Sequence, residues 1–174
     1  MLAACERLVL PGVGAFPDAA RLLSESGMAE LVLREAGRGK PILGICLGMQ
    51  LLLERSLEYG DHRGLGLIPG TVRPISETIP KGLKIPHIGW NALHFQKKSP
   101  LFRYVREGDF VYFVHSYHAT DCLPATVAVT EYGAPLVAAV AAGNVYGCQF
   151  HPEKSGAVGL SILRAFAEGE VAVC

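Results

Sequence analysis

Charge is scarce in this sequence, and neither sign dominates. Sixteen Lys and Arg balance 16 Asp and Glu among 174 residues, and charged residues make up 18% of the chain. A neutral chain with scattered basic residues has no long-range field to draw it toward a phosphate backbone, so nucleic acid is not expected as a partner. Long apolar runs are also missing, and none reaches the length that crosses a bilayer. The opening Met1-Leu2-Ala3-Ala4-Cys5-Glu6-Arg7 lacks the charged-then-apolar layout of a secretory signal, so no membrane and a cytoplasmic location are expected. There is no Cys-x-x-Cys pair. The five cysteines, at 5, 46, 122, 148 and 174, form an odd, widely spaced set that fits neither a zinc site nor a disulfide framework. Four of them read as inert: Cys5 and Cys174 near the ends, Cys122 in a Thr-Asp-Cys-Leu-Pro loop, and Cys148 alternating inside a strand.

What is present is apolar. Half of the residues are hydrophobic, enough for one buried core, and no repeat, low-complexity tract or linker divides the chain, so residues 1–174 are expected to form one domain. Arg7 to Leu10 and Pro41 to Ile45 are short unbroken apolar strands, the pattern of a parallel sheet covered on both faces. Helical spacing runs from Pro17 to Ala36 with an interruption at Gly27, and leucines at helical spacing predict a helix from Leu47 to Arg55. In the second half, Thr71–Ile75, Leu93–Phe95, Phe110–His115, Thr126–Thr130, Pro135–Ala141 and Val145–Gln149 read as strands joined by short turns, an antiparallel meander. A closing helix spans Ser155 to Ala167 with Ser155 as its N-cap.

Gly44-x-Cys46-x-Gly48 lies where a strand turns sharply into a helix. That is the layout of a nucleophile elbow with cysteine in the place of serine. A residue held on such a turn is strained, and only neighbours without a Cβ avoid a clash. The following helix would aim its first amides at the sulfur, lower its pKa and offer the Leu47 amide to an oxyanion. A packed thiol between two glycines fits the same run, and the motif alone does not separate the two readings. A nucleophile needs a base. His62 reads as part of a charged loop, His87 and His94 as flanks of a turn around Gly89-Trp90, and His118 as part of a polar stretch. In Gln149-Phe150-His151-Pro152-Glu153, by contrast, His151 and Glu153 are two apart, and strand geometry puts both on one face. A carboxylate beside an imidazole fixes its tautomer and supports its charged form. A surface His and Glu opening a helix would look alike until Cys46 is considered with them. Pro11-Gly12-Val13-Gly14, where the first strand ends, can turn backbone amides toward a neighbouring site as a second oxyanion donor.

These elements resemble, in the same order, the class I (triad) glutamine amidotransferases. Five runs carry the likeness: Leu10 to Phe16, Gly44 to Leu52, Pro86 to Asn91, Tyr112 to Tyr117 and Gln149 to Ser155. The first and third are closer to the glutaminase subunit of imidazole glycerol phosphate synthase than to the family at large. The resemblance implies an α/β, flavodoxin-like mixed sheet with helices on both faces. It implies a catalytic Cys46, His151 and Glu153, with an oxyanion held near Gly12, Val13 and Leu47. Gly14, Gln50, Glu58, Ser116 and Tyr117 would hold glutamine; for Glu58 a solvated helix-end carboxylate is the competing reading. The ammonia released would pass to a (β/α)8-barrel cyclase subunit in histidine biosynthesis, with His87, Trp90, Asn91 and Lys154 at the interface and Trp90 as an exposed anchor. No metal or cofactor is implied.

The resemblance also implies one further strand-helix-strand unit, of roughly 30 residues, before the segment that starts near Cys5. The sequence lacks it, and with it a glycine-asparagine loop near the site. An exposed strand edge and poor stability of the chain alone are therefore expected. Two other functions stay open on the sequence: a glutaminase serving another synthase, and a binding module without catalytic activity.

Overall fold

The computed structural model describes residues 5–169; the expectation for Cys174 lies outside them. Strand β1 (Leu8–Gly12) leads to helices α1 (Phe16–Glu25) and α2 (Met28–Gly37), then to β2 (Ile42–Cys46) and the short α3 (Leu47–Leu52). Next come β3 (Leu53–Ser56), β4 (His62–Arg63), β5 (Ile68–Pro74), β6 (His87–Ala92), β7 (His94–Phe95) and β8 (Phe110–His115). The chain closes through β9 (Tyr117–Thr120), β10 (Thr126–Glu131), β11 (Pro135–Ala142), β12 (Val145–Cys148) and α4 (Gly156–Glu168).

The six-stranded central sheet has the order β1-β2-β12-β11-β10-β7. Strand β2 is parallel to both β1 and β12, while β12, β11, β10 and β7 alternate in direction. Parallel strands in front and an antiparallel meander behind are as the sequence predicts. The single sheet is not: a four-stranded sheet, β4-β3-β5-β9, and the pair β6-β8 stand apart from the main one. Both faces of the central sheet are covered. Ile42 and Val145 point into a core shared with Phe16, Val32, Leu52 and Ile68, while their neighbours on the other face, Leu43 and Cys148, pack with Ile162 and Phe166 of α4. The mixed sheet with helices on both faces is thus the observed architecture.

Several local expectations change. Gly27, at φ 71°, does break the first helical stretch in two. The helix expected over Leu47–Arg55 stops at Leu52, and the chain continues directly as β3, paired in parallel with β5. Leu51, Leu52 and Leu53 are all buried, so the leucines form no single helical stripe and their spacing misleads. His87 to Ala92 is a strand rather than flanks of a turn. It pairs with β8 from His87↔His115 to Ala92↔Phe110. His118 is not in an open polar stretch but buried in β9, where it pairs with Arg73. Ser155 precedes α4 but caps nothing with its side chain. Its hydroxyl donates to the His151 carbonyl and accepts the Tyr112 N–H, two bonds that tie the start of α4 to β8.

The tightest packing lies under the strand-to-helix turn. A Cβ on Gly44 would come within 2.7 Å of Met49 Cα, Leu52 Cδ1 and the Gly48 carbonyl, and one on Gly48 would overlap the Leu10 carbonyl outright. Both glycines are required by contact, as the elbow motif demands. Gly48→Ala is expected to force α3 off β1 and cost about 2–3 kcal/mol, the size of a strained overpacking. Urea unfolding of the purified variant measures it, and wild-type stability would mean that α3 has room to lift.

Candidate active site

Cys46 is the last residue of β2 and has φ 54° and ψ −112°, a conformation that few non-glycine residues adopt. It opens onto a cavity of about 480 Å3, and residues from six separate stretches of the sequence meet there, Pro86 supplying one of them. Val13 and Gly14 come from the end of β1, Leu47 and Gln50 from α3, Glu58 and Tyr59 from the loop after β3. Ser116 and Tyr117 come from the β8–β9 junction, and His151 and Lys154 from the turn after β12. Gly12 does not line the cavity. It pairs in register with Cys46, and a Cβ there would lie 3.0 Å from the Gly48 amide, so it forms the floor under the turn.

His151 is buried and its Nδ1 lies 2.7 Å from Glu153 Oε1. A carboxylate only accepts, so Nδ1 carries the proton and a neutral ring keeps its lone pair on Nε2. Nε2 is buried and has no hydrogen-bond partner. This arrangement leaves an acceptor nitrogen open for another group. The two residues meet through a 3-10 turn, Pro152–Lys154, rather than through the pleat of a strand, because β12 ends at Cys148. The His151 N–H donates to the Tyr112 carbonyl, which fixes the turn on β8. Gly159 of α4 sits against the Pro152 carbonyl, where a Cβ would not fit.

The sulfur is not in the state that the motif suggests. Burial pushes the Cys46 thiol up to about 11, with the nearby Glu153 carboxylate adding to the rise. Hydrogen bonding from the Leu47 amide and the Gln149 side chain works in the opposite direction and is outweighed. The expectation that the following helix would lower this pKa is therefore corrected: desolvation wins over a six-residue helix. The Leu47 amide does face the sulfur, the direction an oxyanion donor needs.

Around this centre the other expected residues are brought together. Glu58 is buried, accepts the Phe16 amide at 2.9 Å and lines the cavity, which rules out a solvated helix end. Gln50 donates to the Tyr117 carbonyl at 3.1 Å and to Gln149 Oε1 at 3.0 Å. Gln149, whose Nε2 is 3.7 Å from Cys46 Sγ, is a neighbour of the sulfur that the sequence reading passes over. Its position one residue past the end of β12 gives no signal of its own. His115 is also missed, although it lines the same cavity.

The expected interface residues separate. Trp90 is 52% exposed, and Lys154 is exposed at the rim of the cavity. Asn91 is half-buried. His87 is fully buried and cannot touch a partner, because it is stacked between Phe113 and Tyr132 and bonded to His115 and Asn91. Among the described residues no group of three or more His, Cys, Asp or Glu could hold a metal ion, and no helix is long and apolar enough to cross a membrane.

Protonation of the sulfur gives a measurable expectation. In the isolated chain, alkylation of Cys46 by iodoacetamide should keep climbing, about tenfold per pH unit, from pH 7 to pH 10. A plateau at or below pH 9, read on the Cys46 peptide by mass spectrometry, would show that burial does not control the thiol.

The chain is similar to known proteins in both sequence and fold. The family Glutamine amidotransferase class-I matches residues 3–168. Among curated relatives, the imidazole glycerol phosphate synthase subunit HisH of Caldanaerobacter subterraneus subsp. tengcongensis is 52% identical over 164 residues, covering 94% of this chain and 79% of the relative. The same subunit of Aquifex aeolicus is 50% identical over 160 residues, covering 91% and 75%. Among solved structures, a glutamine amidotransferase superposes with a TM-score of 0.70 at 19% identity, covering 95% of this chain and 82% of that one. PurLQS of Thermotoga maritima gives 0.68 at 21%, covering 93% and 78%. At these identities the structures speak for the fold alone.

Proposed function

The chain belongs to the class-I glutamine amidotransferases, and from that premise we propose that it hydrolyses glutamine and hands the ammonia to the cyclase of imidazole glycerol phosphate synthase. The observation that carries the chemistry is the bare, buried Nε2 of His151 in the cavity that also holds the Cys46 thiol. A thiol that titrates at about 11 is no nucleophile at neutral pH unless a base takes its proton as it attacks. His151 is that base. Cys46 Sγ bonds to the side-chain carbonyl carbon of glutamine while its proton passes to His151 Nε2. The oxyanion so formed lies against the Leu47 and Val13 amides. Collapse of the intermediate breaks the C–N bond, with the His151 proton leaving on ammonia, and a γ-glutamyl thioester remains. Water then attacks the thioester, His151 accepts its proton, and glutamate departs with the thiol restored. Glu153 holds the ring in the required tautomer and stabilises the imidazolium of each step.

Gly14, Gln50, Glu58, Ser116 and Tyr117 are the proposed contacts for the amino-acid end of glutamine. Glu58 supplies the negative charge that an α-ammonium needs, in a buried setting where a charge-assisted bond is strong. The half-exposed Trp90, together with Asn91 and with Lys154 at the cavity rim, is proposed to dock the barrel subunit. Support for that partner is the identity of about half of all residues with the HisH subunits. A cytoplasmic location follows from the same reading. The chain is proposed to act as one domain across residues 1–174.

Glutamate release by the chain mixed with its barrel partner tests the proposal. Cys46→Ala should abolish release, by at least about a thousandfold, and Glu153→Gln should lower kcat by ten- to a hundredfold through loss of the tautomer lock. Release that survives in Cys46→Ala would remove the nucleophile assignment, and none in the wild type would favour a docking module. Glu58→Gln should raise the KM for glutamine at least tenfold with a smaller effect on kcat, and an unchanged KM would exclude Glu58 from the substrate site.

A further inference from the structure

His87 and His115 are buried histidines that the reaction above does not use, and they stand in line. His115 Nδ1 is 2.8 Å from the Tyr117 carbonyl, His115 Nε2 is 3.0 Å from His87 Nδ1, and His87 Nε2 is 2.8 Å from Asn91 Oδ1. Beyond them Asn91 Nδ2 donates to the Glu131 carbonyl at 3.0 Å. Counting protons along this line gives an unusual result. The Tyr117 carbonyl only accepts, so His115 must carry its proton on Nδ1. Neutral His115 then has a bare Nε2, which only His87 Nδ1–H can fill. That leaves His87 Nε2 bare, facing the Asn91 carbonyl oxygen. If the Asn91 carboxamide is turned over, its NH2 meets His87, but its oxygen then faces the Glu131 carbonyl. Three links with acceptors at both ends need three protons, and two neutral rings supply two.

A third proton on the rings is opposed by burial, which lowers both histidines, His115 to about 3. The shortfall therefore collects at the Asn91 end. That end is half-buried and adjoins the exposed Trp90, while His87 is fully buried and His115 borders the cavity. The inner end is placed with equal economy. The Tyr117 carbonyl that receives His115 also receives Gln50 Nε2, and Gln50 reaches through Gln149 to the Cys46 sulfur. One line of polar contacts, short of a proton only at its Asn91 link, thus joins the surface to the nucleophile.

We propose that His87 and His115 are positioning residues, a one-directional hydrogen-bond relay through which the bonding of Asn91 at the surface sets the placement of Tyr117 and Gln50 in the glutamine pocket. With the Asn91 carboxamide turned so that its NH2 donates to His87, a donor presented from outside to its oxygen, beside the Glu131 carbonyl, completes the line, and removal of that donor reopens the mismatch at the surface end. The order of the line is fixed from the inside by the Tyr117 carbonyl. The relay rests on the glutaminase reading only for its kinetic readout.

Two measurements decide it. In the 15N-labelled chain, both rings should be in the Nδ1–H tautomer, and Asn91→Ala should shift the Gln50 side-chain amide resonance although Asn91 does not touch Gln50. Either ring in the Nε2–H form, or an unmoved Gln50 resonance, overturns the relay. In the complex with the barrel partner, His87→Phe keeps the stack between Phe113 and Tyr132 but breaks the line. It should lower kcat for glutamine at least tenfold with KM within twofold, and His87→Asn, which restores a donor at the Nδ1 position, should recover part of the loss. If His87 only packs, Phe will match the wild type and the proposal fails. Should the wild-type complex release no glutamate, the glutaminase reading falls, while the Gln50 resonance still decides the relay.

Discussion

The contact between α3 and β1 is the constraint on which the rest depends. Cys46 is held in a backbone conformation that costs on the order of 1–3 kcal/mol for a side chain of its kind, and it stays there because Gly44 and Gly48 let the helix settle onto the strands without a gap. The same contact places Gly12 beneath the turn, opposite Cys46 in the parallel ladder. Cys46, the Leu47 amide and the end of the glycine-rich strand are therefore one packed unit. A movement of any one of them is a movement of all three.

The partner half of the site is fixed by a different device. Strand β8 receives the His151 N–H on its Tyr112 carbonyl and gives the Tyr112 N–H to Ser155, so the turn carrying the base is clamped at both ends by one residue of a strand. The far end of β8 carries His115, the first ring of the line that ends at Asn91. The His151 turn and His115 are thus both tied to β8, outside the central sheet, with His87 and Asn91 on its partner β6, whereas Cys46 ends β2 within that sheet. Alignment of the site depends on how the β6-β8 pair sits on the main sheet.

Much of this was legible in the residues. The elbow could be read because steric need leaves a literal mark, glycine at both flanks of Cys46. Strand β8, Phe110 to His115, could be read because one-sided burial leaves alternation, although it pairs with β6 outside the meander. What could not be read had no local mark. Leu53 looks like a continuing helix because neighbouring leucines are buried on every side. His87 and His118 look like surface residues because imidazole is polar, yet stacking on Phe113 and Tyr132 buries the first and a β5 partner buries the second. The pairing of His151 with Glu153 was foreseen for the wrong reason, since a 3-10 turn, not a pleat, brings them together. The state of the Cys46 thiol depends on enclosure by distant segments, which no run of neighbouring residues encodes.

That enclosure has a consequence for survival in an oxidising insult. Peroxide attacks thiolates, and a sulfur kept protonated until a substrate and a base act on it is a slow target. Cys122 and Cys148, also raised by burial, share the protection, while Cys5 is exposed. Among the described cysteines, enclosure thus shields the three that lie inside the fold and leaves Cys5 alone open to solvent.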